Sequence, residues 1–115
     1  MPKVSIIIPV LNNLDLTGRC IKSIQDHTRD YELIVVDNAS GDDVQGYLEV
    51  LAPLNDNVHV IRNPLNLGWP LGCNQGLARA TGDYAVLLNN DTEVCPGWLD
   101  RLLAPFADQK EPVGL

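Results

Sequence analysis

Asn89, Asn90 and Asp91 stand directly behind a run of apolar residues, YAVLL, at positions 84–88. The run is dense enough for a buried strand, so the three polar side chains are expected where that strand ends. A carboxylate combined with amide oxygens and water is a ligand set that suits Mg²⁺ or Mn²⁺. Asn and Asp are also among the commonest residues of tight turns. The segment therefore predicts either a simple turn or one corner of a ligand site, with Asp91 as the metal ligand.

Polar side chains also follow each of the three other apolar runs of the chain. They are Asn12 and Asn13 after the first run, Asp37 and Asn38 after the second, and Arg62 and Asn63, then NLGW (66–69), after the third. Each loop taken alone is more readily explained as a turn or a helix cap. Four such loops at the same edge of a sheet favour a ligand site.

The four apolar runs are evenly spaced, and three of them are nearly continuous, which is typical of parallel strands covered on both faces. They are KVSIIIPV (3–10), YELIVVD (31–37), NVHVIRN (57–63) and DYAVLLN (83–89). Segments with helical spacing follow each run, at 14–27, 41–54, 71–80 and 96–106. This alternation predicts an α/β fold, a doubly wound, Rossmann-like and mainly parallel sheet in the order β-α-β-α-β-α-β-α. Ligands of such sheets bind outside the carboxyl ends of the strands.

The first helical segment illustrates the spacing on which these helices are predicted. Its apolar residues Leu16, Cys20, Ile21 and Ile24 recur at intervals of three and four and are expected to face the core. Residues 1–115 are expected to form one domain. The last five residues, EPVGL, resemble the start of a fifth strand, so we expect the chain to be a piece of a longer protein.

The net charge of the chain restricts the classes of partner that it can bind. Eight basic against fifteen acidic residues give a formal charge of −7. That balance repels nucleic acid and anionic membranes, so no nucleic acid partner is expected. No apolar run approaches the roughly 18 residues of a membrane span, and MPKVSIII leaves no room for a signal peptide. These features predict a cytoplasmic protein.

Several other kinds of site are not indicated. The chain has neither G-x-G-x-x-G after its first strand nor a P-loop, so a bound diphosphate would need a cation. The three cysteines, Cys20, Cys73 and Cys95, form no CxxC pair, and Cys20 is expected to be a small buried residue. His27 and His59 are expected to be structural. A receiver domain of a response regulator is disfavoured, because the first strand is not followed by an acidic pair.

The ordered motifs of the chain resemble the N-terminal, nucleotide-sugar-binding half of family 2 glycosyltransferases, which have the GT-A fold. The matching pieces are VSIIIPVLNN, ELIVVDNASGDD, NLGWPLGCNQGLARATGDY and LLNNDTEVCPGWL. NND (89–91) stands where the family carries its D-x-D motif. The Asn in place of the first Asp resembles the motif of the rhamnosyltransferase-like subgroup. It leaves a single carboxylate to bind a metal.

The resemblance implies a donor site for a nucleoside-diphosphate sugar. Residues implied to contact the nucleotide or the sugar are Pro9, Val10, Leu11, Asn12, Asp37, Asn38, Asn66, Gly68, Asn74, Asn89 and Asn90. Asp37 would accept a hydrogen bond from the base, with Asn38 beside it. Asp91 would bind Mg²⁺ or Mn²⁺ on the donor diphosphate while an acceptor hydroxyl attacks the sugar with inversion. The acceptor could be a glycan, a lipid or a protein.

The resemblance also implies what this chain lacks. The catalytic base of the family lies in the acceptor-binding half, downstream of the D-x-D motif, so we expect 1–115 to hold the donor subdomain without that base. Asp100 and Asp108 are expected to be solvated. A non-catalytic module that binds a nucleotide or a protein therefore stays as an alternative. A sheet edge left uncovered would favour self-association. The parent protein would act in the cytoplasm or at the cytoplasmic face of the membrane.

Overall fold

The structure, a computed structural model, describes residues 3–106. Strands and helices alternate along the chain in the predicted order. They are β1 (Val4–Val10), α1 (Leu14–His27), β2 (Tyr31–Asn38), α2 (Asp42–Leu54), β3 (Val58–Asn63), α3 (Trp69–Arg79), β4 (Tyr84–Leu87), α4 (Trp98–Leu103) and a 3₁₀ turn (Ala104–Phe106). The segment EPVGL and Asp108, which carried two of the predictions, lie outside the described residues.

Two helices begin two residues away from their predicted starts. Helix α3 begins at Trp69, two residues before the predicted start, because Gly68 adopts a left-handed φ of 84° and Pro70 fits the first helical turn. Helix α4 is shorter than predicted at both ends. It begins after Gly97, whose φ is 76°, and gives way to the 3₁₀ turn at Ala104.

The four strands form one parallel sheet in the order β3-β2-β1-β4. The chain moves outward from β1 to β3 and then returns to place β4 on the other side of β1. The strand order therefore reverses between β1 and β4. In open α/β sheets the crevice at such a switch point, outside the carboxyl ends of the strands, is the usual place for a ligand.

Helices cover both faces of the sheet. On one face Ile6, Ile8 and Val10 of β1 pack in a core with residues of α1, α2 and α4. On the other face Ile7 packs with residues of β2 beneath α3. The prediction that Leu16 faces the core is wrong: it is 38% exposed, and Thr17, one position further round α1, is buried instead.

A buried carboxylate holds the amino edge of the sheet. One oxygen of Glu32 accepts hydrogen bonds from the Ser5 hydroxyl at 2.6 Å and from the backbone and hydroxyl of Thr81 at 2.6 and 2.8 Å. The other oxygen lies 3.6 Å from Nε2 of His59. Burial alone would raise the pKa of Glu32, but these donors outweigh it and lower the pKa below 4.5. This network ties β1 and β2 to the loop that precedes β4.

No helix within residues 3–106 is both long and apolar enough to cross a membrane.

Candidate functional site

The loops after β1, β2 and β4 meet at the carboxyl edge of the sheet. The Asn12 backbone N–H donates to Ser40 Oγ at 2.9 Å, and Asn12 Oδ1 accepts from the Gly41 N–H at 2.8 Å. Nδ2 of Asn90, after β4, lies 3.5 Å from the Asn12 carbonyl oxygen. These contacts join the two sides of the switch point. The predicted convergence of the loops is therefore present in the fold.

The backbone at this edge is unusual. Asn12, Asn13 and Ala39 adopt left-handed φ values of 61°, 60° and 65°. Asparagine tolerates that conformation, but alanine has no side-chain hydrogen bond to compensate the steric cost. Strained backbone of this kind persists where surrounding contacts hold it, and it is concentrated at functional sites.

Asp37, at the end of β2, is held from two sides. Its Oδ1 accepts from the Ser40 N–H at 2.9 Å, and its Oδ2 accepts from the Arg62 guanidinium. The Asp37 side chain is 1% exposed and that of Arg62 is 38% exposed. Arg62 also reaches the Ser40 carbonyl at 3.5 Å. The pair therefore neutralises a buried carboxylate and fixes the turn that leads into α2.

Arg62 was expected at this edge, but it was not among the residues implied to contact the nucleotide, and its pairing with Asp37 was not predicted. Its partner is set by the strand register, in which Asp37 and Arg62 are direct neighbours on β2 and β3. The sequence shows only that both residues end strands, and the pairing depends on the alignment of the two strands.

A chain of amides links β2, β3 and α3 on the other face of the sheet. Asn63 donates to Asn38 Oδ1 at 2.8 Å and pairs reciprocally with the Gln75 amide at 2.7 and 2.8 Å. Asn38 Nδ2 in turn donates to the Gly68 carbonyl at 3.3 Å. A side chain at position 72 would stand 3.1 Å from Asn38 Nδ2, so Gly72 leaves the room that this amide needs. Asn38 and Asn63 are buried, and this series of hydrogen-bonded amides anchors the loop that precedes α3.

The loop before α3 carries predicted residues that face solvent. Asn66 Oδ1 accepts from the Gly68 N–H at 2.9 Å, which closes a tight turn at the start of α3. Asn74 is exposed on α3, and the first turn of this helix holds no acidic residue. The positive end of the α3 dipole therefore lies beside the carboxyl edge of the sheet, and no carboxylate in the first turn of α3 neutralises it.

Residues 89–92 form a turn in which the three polar side chains differ in exposure. The Thr92 N–H donates to the Asn89 carbonyl at 3.2 Å. The side chains of Asn89 and Asp91 are exposed, whereas Asn90 is half-buried and donates to Thr17 Oγ1 at 3.0 Å. The sequence predicted all three at this edge but not that Asn90 turns inward.

The remaining predicted residues line the end of β1. Pro9 and Val10 are buried in the strand, so only their backbone is available to a ligand, whereas Leu11 is 44% exposed.

The ligands available to a metal at this edge are few. Within residues 3–106 no group of three or more His, Cys, Asp or Glu side chains is close enough to hold an ion. Asn89 and Asp91 supply one amide oxygen and one carboxylate on exposed positions two residues apart. Such a pair suits Mg²⁺ or Mn²⁺ when phosphate oxygens and water complete the shell.

Residues 5–113 match the family model described as "Glycosyl transferase family 2". The chain belongs to glycosyltransferase family 2. This family 2 chain is 35% identical over 105 residues to the GalNAc(5)-diNAcBac-PP-undecaprenol beta-1,3-glucosyltransferase of Campylobacter jejuni. It is 36% identical over 118 residues to the undecaprenyl-phosphate 4-deoxy-4-formamido-L-arabinose transferase of Proteus mirabilis. The alignments cover 90% and 97% of the chain but 34% and 36% of those proteins.

Solved structures show the same fold. The mannosyltransferase PcManGT of Pyrobaculum calidifontis, solved in complex with GDP-Man and Mn²⁺, matches 94% of the chain with a TM-score of 0.84 at 23% identity. TarS 1–349 of S. aureus matches 89% with a TM-score of 0.77 at 24% identity. The predicted GT-A fold is confirmed. The family 2 chain spans about a third of each of these proteins, 33% and 31% respectively.

Proposed function

We propose that this family 2 domain binds a nucleoside-diphosphate sugar at the carboxyl edge of its sheet, for transfer of the sugar to an acceptor hydroxyl with inversion. The observation that carries the proposal is the set of hydrogen bonds by which Asn12 joins the loops after β2 and β4 across the switch point. A crevice at this place in an α/β sheet is suited to a nucleotide. The GDP-Man complex of a protein with the same fold supports this class of donor.

The nucleoside is proposed to lie over the ends of β1 and β2, against residues 9–12. Each oxygen of Asp37 has one protein donor and can accept a further hydrogen bond, as the base contact requires. Because Asp37 is 1% exposed, that contact needs the half-exposed Arg62 side chain to move aside. Asn38 is proposed to act through the loop it anchors, since both ends of its amide are already bonded within the protein.

The diphosphate and the sugar are proposed to lie between the start of α3 and the turn at 89–92. Asn66, Gly68 and Asn74 would face them from one side and Asn89 from the other. Asn90 is proposed to hold the turn, because its amide N–H bonds Thr17.

A divalent metal, Mg²⁺ or Mn²⁺, is proposed to join Asp91 and Asn89 to the diphosphate. The metal supplies charge neutralisation of the diphosphate and stabilises the departing nucleotide. The domain has a formal charge of −7, so it cannot neutralise a diphosphate through its own net charge. The Mn²⁺ of the mannosyltransferase complex supports the same metal class.

The acceptor is proposed to be lipid-linked, and the site of action the cytoplasmic face of the membrane. The support is that the names of two relatives contain undecaprenyl carriers. Mass spectrometry of products formed from an undecaprenyl-linked sugar, in parallel with a water-soluble oligosaccharide, would test this. Transfer to the soluble oligosaccharide alone would refute it.

The metal role is tested by replacing Asp91. Titration of UDP and of GDP, each with Mn²⁺, into the wild type and Asp91→Ala is expected to show heat of binding for the wild type only. The reason is that residues 89–91 contain no second carboxylate to hold the ion. EDTA is expected to abolish the wild-type signal.

Asp100→Ala is the matched control. It removes the same charge from an exposed position on α4, which borders a cavity shared with Lys3 and Asp30 away from the carboxyl edge. Its binding should equal that of the wild type. Equal nucleotide binding by Asp91→Ala and the wild type would refute the role of Asp91 as a metal ligand.

A further inference from the structure

Helix α1 carries polar residues along the side that faces the segment after β4. Thr17, Cys20 and Ser23 recur every three residues, and we call them the α1 stripe. Thr17 and Cys20 are fully buried. Serine and threonine are unfavourable inside a helix unless their hydroxyls find partners, so their place next to the apolar core requires an explanation.

Each residue of the α1 stripe contacts a different part of residues 89–94. Thr17 Oγ1 accepts from Asn90 Nδ2 at 3.0 Å, and Ser23 Oγ accepts from the Val94 N–H at 3.0 Å. Between them Cys20 Sγ lies 3.8 Å from the Asn89 carbonyl oxygen, to which it donates.

The two hydroxyls have their own protons engaged elsewhere. Thr17 donates to the Asn12 carbonyl at 3.3 Å, and Ser23 donates to the Cys20 carbonyl at 2.7 Å. A hydroxyl has one proton and two acceptor lone pairs, so each is left as an acceptor facing residues 89–94. The donors of that segment that meet them are the Asn90 amide and the Val94 N–H.

We infer that Thr17, Cys20 and Ser23 are positioning residues that fix the turn at 89–92 so that Asn89 and Asp91 point together to the ligand edge. Asn90 is the anchor, because its inward bond to Thr17 leaves its two neighbours directed outward. The inference rests on the proposed function in so far as Asp91 binds a metal. It adds that the geometry of the metal ligands is set from α1, a helix to which no role in donor binding has been given.

The test compares Thr17→Val, which keeps the shape and loses the hydroxyl, with Thr17→Ser, which keeps the hydroxyl. Loss of a partner that orients a metal ligand lowers metal affinity about 10- to 100-fold. In titrations with UDP and Mn²⁺ and with GDP and Mn²⁺, Thr17→Val should lose about tenfold or more in affinity. Thr17→Ser should stay within about twofold of the wild type, because it restores the acceptor.

Two controls distinguish a positioning role of Thr17 from a general loss of stability and from an effect that does not act through Asn90. Val58→Ala removes buried apolar volume at the amino end of β3 and should leave the affinity unchanged. Asn90→Ala should lower the affinity as Thr17→Val does, and the double variant should be no worse than Asn90→Ala alone. Fully additive losses, or a Thr17→Val protein that binds as the wild type does, would overturn the inference.

Hydrogen exchange gives a readout that does not depend on binding. Amides of 92–94 should exchange faster in Thr17→Val/Ser23→Ala than in the wild type, while those of β1 stay protected. Unchanged protection of 92–94 would refute the inference even where binding falls. A wild type that binds neither nucleotide would refute the proposed function, and the exchange result would still decide whether the α1 stripe fixes the turn.

Discussion

Helix α3 packs against β1 at a position where only glycine fits. A Cβ at position 76 would lie 2.4 Å from Cγ2 and 3.0 Å from Cγ1 of Ile7. Ordinary contacts between carbon atoms are about 3.5–4.0 Å. Ile7 is fully buried in the strand between β2 and β4, so it has no space into which to withdraw. Gly76→Ala therefore requires α3 to move away from the sheet.

The size of the effect follows from two opposing terms. Overpacking a well-filled core by one methyl costs about 1–3 kcal/mol, and a contact as short as this one belongs at the upper end. Alanine regains about 1 kcal/mol of helix propensity relative to glycine. The net expectation for Gly76→Ala is a loss of about 2 kcal/mol in the free energy of unfolding.

Gly46→Ala in α2 and Gly18→Ala in α1 are matched controls. A Cβ at either position meets no atom within 4 Å, so only the gain in propensity remains. Each should raise the free energy of unfolding by about 0.5–1 kcal/mol. Urea denaturation followed by circular dichroism measures all three variants on one scale.

The order of stabilities tests the reasoning. We expect Gly46→Ala and Gly18→Ala above the wild type, with Gly76→Ala below it by the larger margin. Because α3 also carries Gly72 beside Asn38, a displaced helix should weaken nucleotide binding at the same time. A Gly76→Ala protein as stable as Gly46→Ala would show that α3 does not pack as closely as described.

Two further predictions concern the edges of the sheet. The pKa of Glu32 is lowered in the folded state, so its ionised form stabilises the protein above pH 4.5, and this stabilisation is lost as the pH falls through the folded value. Glu32→Gln should therefore be less stable than the wild type at neutral pH and should lose less stability on acidification. Urea midpoints measured across the pH range test this. Parallel curves for the two proteins would contradict it. Strand β4 is the outer strand beside β1, and its outer edge should favour self-association of the chain. Light scattering is therefore expected to show a dimer or a larger species. A monomer at high concentration would rule this out.

The order of the elements could be predicted because it depends on local patterns. Continuous apolar runs such as 31–37 indicate buried parallel strands, and the helical spacing between them indicates crossovers. Topology then requires that every strand deliver its following loop to one edge, so the meeting of Asn12, Asp37 and Asn90 follows without any knowledge of contacts.

The partners of the site residues could not be predicted, because they depend on register and on helix rotation. The pairing of Asp37 with Arg62 requires β2 and β3 to be aligned to the residue, and a shift of one position would direct Arg62 to the other face. The pairing of Asn63 with Gln75 requires in addition that α3 be rotated so that Gly76 faces Ile7. These alignments result from the packing of the whole core.

The asparagines at the carboxyl edge fall into two groups, which differ in whether the side chain is turned inward or exposed. Asn38, Asn63 and Asn90 are turned inward and hold loops through side-chain hydrogen bonds, as structural turn residues do. Asn66 and Asn89 are exposed on the loops that those bonds hold. Binding to a site whose loops are already ordered costs less conformational entropy than binding to mobile loops. On the proposed function, the inward amides are expected to contribute to donor affinity without touching the donor, and replacing them should weaken binding through the positions of Asn66 and Asp91.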